Sequence, residues 1–309
     1  MKFETFSFCH LAEASLHAKT AYENACAAFP ALPQDVPLPD FSPLLNGMGT
    51  AAVEGGRLIG FLGAWEPFPR AFGTAFPGVL SPVFAHGLAP DAPEKTMQLM
   101  YQKAAEKWAA AGAAYHIVCL YEHEKTAIRT LFRYGFGLRC ADAVRKAMPL
   151  HAAPVPGFHC TELSPADENA LTPLREGLWR HLQQSPCFLC GSEKEMQKWL
   201  QNRKSFPSRR FAALWQEKPV AYIEVTQNGE NFITAHSAML NICGAYCEPA
   251  FRGTGVSRML LDFLLHTLQG EGVSHLGVDY ETMNPTAAGF WEKHFTPYTQ
   301  SLVRRVDRI

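Results

Sequence analysis

The chain has 309 residues, 47% of them hydrophobic and 18% charged, which is more apolar mass than one small domain needs and makes two domains the expectation. A formal net charge of −1, with no block of Lys and Arg, argues against a nucleic-acid groove or a polybasic membrane patch. No apolar run reaches the ~18 residues of a membrane span, and the opening MKFETFSFCH has no continuous apolar segment of the signal-peptide kind, so the expected location is cytoplasmic. Nine scattered cysteines without an export signal are expected to be free and mostly buried. The pair Cys187 and Cys190 in CFLC has no second pair at matching spacing, so no metal is assigned.

In chain order, the first patterned stretch is GTAAVEGGRLIGFLGAW, which predicts a hairpin turning at Gly55 and Gly56. A helix follows in APDAPEKTMQLM, with Met97, Met100, Tyr101, Ala104 and Trp108 on one face, and Asp91 followed by Glu94 reads as a capping box at its start. Gly112 ends that helix, an apolar strand runs through Ile117, Val118 and Leu120, and a second helix contains Ala127. HAAPVPGFHC, His151 to Cys160, is rich in Pro, Ala and Gly and reads as a linker. Beyond it, Ser192 and Glu195 form a capping-box signal for a helix burying Met196, Trp199 and Leu200. FAALW, the turn QEKP and VAYIEV predict a second hairpin, with another turn at 227–231 and a strand-like stretch after it.

The second half then repeats the helix, strand and helix of the first: Gly272 and Ala287 lie 160 residues after Gly112 and Ala127. One ungapped offset is best explained by tandem duplication. The expected organisation is residues 1–150 as one domain, 151–160 as linker and 161–309 as the second. Antiparallel strands leading into strand and helix units make each an α/β (α+β) domain, a mixed, mostly antiparallel sheet flanked by helices.

The junction FRGTGVSRMLL, Phe251 to Leu261, decides the functional reading. Met259, Leu260, Phe263, Leu264 and Leu268 keep helical spacing, so a helix starts within RGTGVS. Its first turn has unpaired N–H groups at the positive end of a macrodipole. Gly253 and Gly255 remove side chains that would block an anion and allow the backbone angles that turn those groups inward.

This segment resembles the acetyl-CoA signature of the GNAT family of N-acyltransferases, Q/R-x-x-G-x-G/A, with Arg252, Gly253, Thr254, Gly255 and Val256 in the motif and Ser257 where Gly or Ala is usual. YCEPAFRG upstream and NPTAAGFWEKHF downstream resemble the flanking segments of the same family. The paired halves look like tandem GNAT proteins such as the mycothiol synthases. The resemblance implies acetyl transfer from acetyl-CoA to the primary amine of a small molecule or peptide. It implies a donor site of Cys247, Arg252, Gly253, Thr254, Gly255, Val256, Ser257, Arg258 and Asn284. Oligomeric state is not indicated.

The implied reaction is direct attack of an amine on the thioester. Cys247, at the end of the strand before the loop, matches the position whose backbone N–H polarises the carbonyl; an acyl-cysteine role for its thiol is a weaker reading. A base is expected near the cleft, with Glu224, Glu281 and Glu248 as candidates. Strand alternation places Val220, Tyr222 and Glu224 on one face, so Glu224 is expected to be buried and either titrate upward or serve a site. Trp291 stands where many family members have an acidic tyrosine, and an indole N–H is too weak an acid for that role. Tyr280, Tyr246, Tyr298 or water are the substitutes. A non-catalytic donor-binding protein is the alternative reading. In the first half the positions of Arg252 and Gly255 fall on Ala92 and Lys95, so that half is expected to bind no acetyl-CoA.

Overall fold

A computed structural model describes residues 1–307. In the first part of the chain the strands are β1 (Lys2–Thr5), β2 (Thr50–Glu54), β3 (Arg57–Leu62), β4 (Gly78–Ser81), β5 (His86–Leu88), β6 (Tyr115–Tyr121) and β7 (Gly137–Lys146); the helices are α1 (Leu11–Ala28), α2 (Thr96–Ala110) and α3 (Lys125–Arg133). The second part contributes β8 (Phe158–Leu163), β9 (Arg209–Trp215), β10 (Lys218–Thr226), β11 (Met239–Cys247), β12 (His275–Glu281), β13 (Thr296–Pro297) and β14 (Thr299–Arg305), with helices α4 (Thr172–Gln183), α5 (Glu193–Ser205), α6 (Val256–Gly270) and α7 (Pro285–Trp291). This is the mixed α/β architecture that the patterning predicts.

The offset between the halves holds in the fold. The starts of α6, β12 and α7 follow those of α2, β6 and α3 by 256 − 96, 275 − 115 and 285 − 125, each 160 residues. Gly112 and Gly272, at matching places, both adopt positive φ, the conformation glycine accepts after a helix.

Contacts divide the chain into two compact units. One joins Met1–Ala143 to Tyr280–Glu292 and to the residues from Thr296 on; the other joins Val144–Asp279 to Lys293–Phe295. The units therefore differ from contiguous halves, and the reason is strand pairing. In the first unit β14 lies antiparallel between β6 and β7, with Thr299 opposite Tyr121 and Ser301 opposite Cys140. β1, β2, β3 and β5 form an antiparallel set, while β4 pairs in parallel with β6. Its core gathers Ile59, Leu62, Met97, Met100, Trp108, Val118 and Leu302.

The second unit orders its strands β8, β9, β10, β11 and β12, antiparallel except for the last pair. Tyr222 and Ala212 are cross-strand partners and pack with Leu171 and Leu174 of the α4 region, so α4 covers one face. Period-two alternation turns Phe211 to the opposite face, where it meets Phe263 of α6. The hairpin turn is the two residues Gln216 and Glu217, both at positive φ, shorter than QEKP suggests. The linker ends sooner than composition indicates, because Phe158 to Cys160 already belong to β8. Its backbone is tied down: Asp262 of α6 accepts hydrogen bonds from the N–H groups of Leu150, His151 and Ala152.

Candidate functional site

The loop before α6 has the predicted geometry. Gly255 is the residue preceding the helix, at φ 95°, and Gly253 sits at φ 77°. A Cβ at Gly253 would meet nothing within 4 Å, and one at Gly255 would meet only Val155 Cγ2 at 3.5 Å. Their positive φ, rather than crowding, is what calls for glycine at both positions. Phe251 and Arg252 bond back to Glu248 and Pro249, and the next backbone donor with a protein acceptor is Met259. Among the described residues the N–H groups from Gly253 to Arg258 have no protein partner, and no acidic residue occupies the first turn of α6. Six unpaired donors at a positive helix end suit a pyrophosphate.

The other loop side chains hold the cradle in shape. Thr254 Oγ1 donates to the Phe251 carbonyl at 2.7 Å. Arg258 reaches the Leu150 carbonyl at 3.2 Å. Arg252 Nε donates to the Cys247 carbonyl at 3.0 Å, and its guanidinium lies 5.4 Å from the Tyr246 ring centroid. The signature arginine thus braces the strand end. Val256 is buried as the first residue of the helix core, and Ser257 is half-buried behind it.

The strand end supplies the second half of the geometry. β11 and β12 pair only from Met239–His275 to Ile242–Val278, yet β11 continues to Cys247 along β10. A register shift against β10 leaves Cys243 as an extra residue, a bulge that bends β11 where the parallel ladder stops. Glu248 N donates to Val220 O at 2.9 Å, which makes Ala221–Cys247 a non-hydrogen-bonded pair. The N–H groups of Cys247 and Ala245 consequently point away from β10, along the edge that β12 has left. Cys247, the position expected to supply a backbone donor, therefore has its N–H turned off the β10 ladder. Burial pushes its thiol up, only partly offset by Ser257 and Arg252, so the sulfur is no activated nucleophile.

Glu224 is where the structure corrects the sequence reading. It is buried and faces α4 as alternation predicts, but Arg175 donates to both of its oxygens at 2.7 and 3.3 Å, Arg203 lies 2.9 Å away and Ser208 donates at 3.0 Å. Arg210 bridges the same carboxylate to Glu168, which also pairs with Arg175. Burial pushes the Glu224 carboxyl up, but Arg203 and Arg175 outweigh it and hold the group below its ordinary value. A carboxylate so engaged is a poor proton acceptor, and the expected upward titration is not found. Its role is to anchor α4 and α5 to the sheet.

The remaining candidates are placed elsewhere. Glu281 and Asn284 belong to the first unit. Glu281 pairs with Arg139 at 3.2 Å, and the buried Asn284 caps α7 by accepting from Ala287 N, so both have structural partners of their own. Tyr280 donates to Glu292 at 3.1 Å, and burial, then Glu292, raises it far from an acid's range. Trp291 and Tyr298 are buried. Tyr246 alone of the tyrosine candidates lies in the second unit. Cys187 is buried, Cys190 and Cys9 are exposed, and most of the other free thiols are only half-buried, fewer buried than composition suggests. Two features escaped sequence reading: the Arg175–Arg203–Arg210 cluster and the packing of Gly177 under Tyr246, where a Cβ would lie 2.7 Å from the ring.

Residues 177–295 match the model of the acetyltransferase (GNAT) family. This segment is similar to the GNAT acetyltransferases. The whole chain shares its fold with a GCN5-related N-acetyltransferase from Sphaerobacter thermophilus, at 14% identity and a TM-score of 0.62, over 99% of this chain and 96% of that one. A glucosamine N-acetyltransferase region of a fungal multi-domain β-N-acetylglucosaminidase aligns at 11% identity and a TM-score of 0.50, over 98% of this chain and 38% of that one. No curated protein sequence matches the chain. The likeness to GNAT acetyltransferases supports acyl transfer as the general chemistry. Among the described residues no helix is long and apolar enough to cross a membrane.

Proposed function

We propose that the chain transfers an acetyl group from acetyl-CoA to the primary amine of a small molecule or peptide. The observation that carries this reading is the row of six unpaired N–H groups from Gly253 to Arg258, set beside a strand end whose Cys247 N–H is turned off its ladder. The loop would hold the donor's pyrophosphate, and the donor supplies a thioester whose carbonyl is open to amines. Cys247 N–H would polarise that carbonyl and stabilise the oxyanion formed on attack. Ser257 and Arg258 line the cradle, Arg252 fixes the strand end, and Asn284 and Glu281 act through the local structure of the first unit.

We further propose that residues 1–150 and 161–309 descend from one duplicated domain and that the first copy binds no acetyl-CoA. Calorimetric titration of the full chain tests both statements. One site is expected, lost in Gly255→Asp; two equivalent sites, or wild-type affinity in a folded variant, would remove the cradle assignment.

A second reading, a non-catalytic acetyl-CoA binder, is favoured by the buried Trp291 and by the engaged Tyr280 and Glu224. Release of free thiol on adding amine mixtures separates the two, since a binder releases none.

A further inference from the structure

We propose that the first unit carries a binding site for a quaternary ammonium group, in a cavity beside β4. The cavity, of about 660 Å³, is lined by Pro43, Trp65, Glu66, Phe68 and Leu80, and its volume is that of a small-molecule site. All five residues lie in the first unit and none belongs to the cradle, so the proposal stands apart from the acetyl-transfer reading.

The walls are fixed by the protein's own contacts. Trp65 to Phe68 follow β3 in the run WEPFP, where Pro67 and Pro69 restrict the backbone on both sides of Phe68. Trp65 N–H donates to the Leu80 carbonyl at 2.9 Å, and Phe68 and Gly78 exchange both backbone hydrogen bonds at 2.9 Å. The Phe68 ring lies close over Gly78, where a Cβ would come within 3.1 Å of it. Asn46 brings up Pro43, its side-chain amide donating to the Pro43 and Ala64 carbonyls, both at 2.9 Å. Walls held in this way lower the ordering cost of binding.

These walls present one anion and two uncovered aromatic rings. Glu66 is exposed, and among the described residues no cation pairs with it. Trp65 is 38% exposed, and no arginine covers it or Phe68. The next loop differs: Arg139 lies 3.9 Å from the Phe72 ring centroid and Arg305 4.8 Å from that of Phe76. The protein's own cations thus cover two neighbouring rings and leave the pair that flanks Glu66. A carboxylate set between π faces attracts a cation.

Hydrogen bonding selects among cations. A primary ammonium has three N–H donors to place, yet the Pro43, Phe68 and Leu80 carbonyls of the lining already accept from Asn46, Gly78 and Trp65. Among the lining side chains only Glu66 can accept. A quaternary ammonium has no N–H to satisfy and offers an apolar shell to Pro43, Leu80 and both rings.

Choline and its uncharged tert-butyl isostere test the site by calorimetry on the full chain, without acetyl-CoA. Choline should bind, and the isostere should bind about tenfold more weakly or worse. Trp65→Leu and Glu66→Gln, both at exposed positions, should each weaken choline binding by roughly tenfold and leave Tm at the wild-type value. Ethanolamine, which keeps the charge but brings three N–H donors, should bind more weakly than choline. No detectable choline binding, equal affinity for the isostere, or unchanged choline affinity in Trp65→Leu or Glu66→Gln would overturn the site. Ethanolamine binding as tightly as choline would overturn the choice of a quaternary group.

Discussion

The starts of α2 and α6 are the same place in two copies, 160 residues apart, and they differ in what their backbones leave open. At α6, left-handed Gly253 and Gly255 precede the helix and six N–H groups point to no protein acceptor. At α2 the matching residue is Lys95, at φ −80°. Pro90 and Pro93 have no N–H to offer, and the N–H groups of Ala92 and Thr96 bond to the Ala89 and Pro93 carbonyls. The expected capping box is absent. Asp91 turns away to pair with Arg57, and no side chain caps α2. What separates the proposed cradle from a plain helix start is thus two glycines against two prolines, with the helix preserved in both.

The largest effect is expected on the α4 face of the second sheet, where Glu168, Arg175, Arg203, Arg210 and Glu224 place buried charge. Glu224→Gln leaves Arg203 and Arg175 without their shared anion and should destabilise the protein by about 3–5 kcal/mol. Chemical denaturation measures it, and a loss below about 1 kcal/mol would show the cluster to be dispensable. The carboxyl's folded value lies below its ordinary 4.5. Its stabilisation is therefore complete above pH 4.5 and is lost as pH falls through the lower folded value. In Glu224→Gln that acid-side loss should be smaller.

Next in size is the cradle itself. A carboxylate at Gly255 would meet the donor's phosphates at the helix end and strain a backbone held at φ 95°. Gly255→Asp should weaken acetyl-CoA binding by about 3 kcal/mol, more than a hundredfold. The same titration reads the stoichiometry, and a residual site in the variant would mean that the first copy binds the donor.

How far these features could be read from the chain depends on whether their cause is local. The α6 start, the Gly55–Gly56 turn and the Ser192 capping box follow from neighbouring residues, and each is found. Alternation placed Glu224 on the right face but said nothing of its partners, because Arg175, Arg203 and Arg210 come from three separate elements. The insertion of β14 beside β6, with Thr299 opposite Tyr121, likewise has no local signal. The bulge at Cys243 depends on a mismatch between two strands, so neither strand announces it alone.

The two copies also differ in how the chain between them is held. Asp262 accepts from three consecutive linker N–H groups, while its counterpart in α2 by the 160-residue offset is Gln102, which donates to Tyr134 at 2.7 Å. Asp262→Ala should cost about 2 kcal/mol, the scale of hydrogen bonds to a charged group, and raise amide exchange at 150–152. Unchanged exchange there would show that the linker is held by Val155 and its apolar neighbours instead.

The smallest effect probes the first copy directly. Lys95 is exposed at the positive end of α2, where a cation opposes the helix dipole. Lys95→Glu should therefore stabilise the protein by about 0.3–1 kcal/mol, seen as a modest rise in Tm that shrinks with added salt. Acetyl-CoA affinity should not change, because the cradle belongs to the other copy. The same charge reversal would be costly at a phosphate site, since it sets a carboxylate against an anion at short range. A stabilised Lys95→Glu with weakened acetyl-CoA binding would place α2 against the donor and break the contrast between the two helix starts. A stabilised variant with unaltered binding leaves that contrast resting where the backbone puts it, on Gly253 and Gly255.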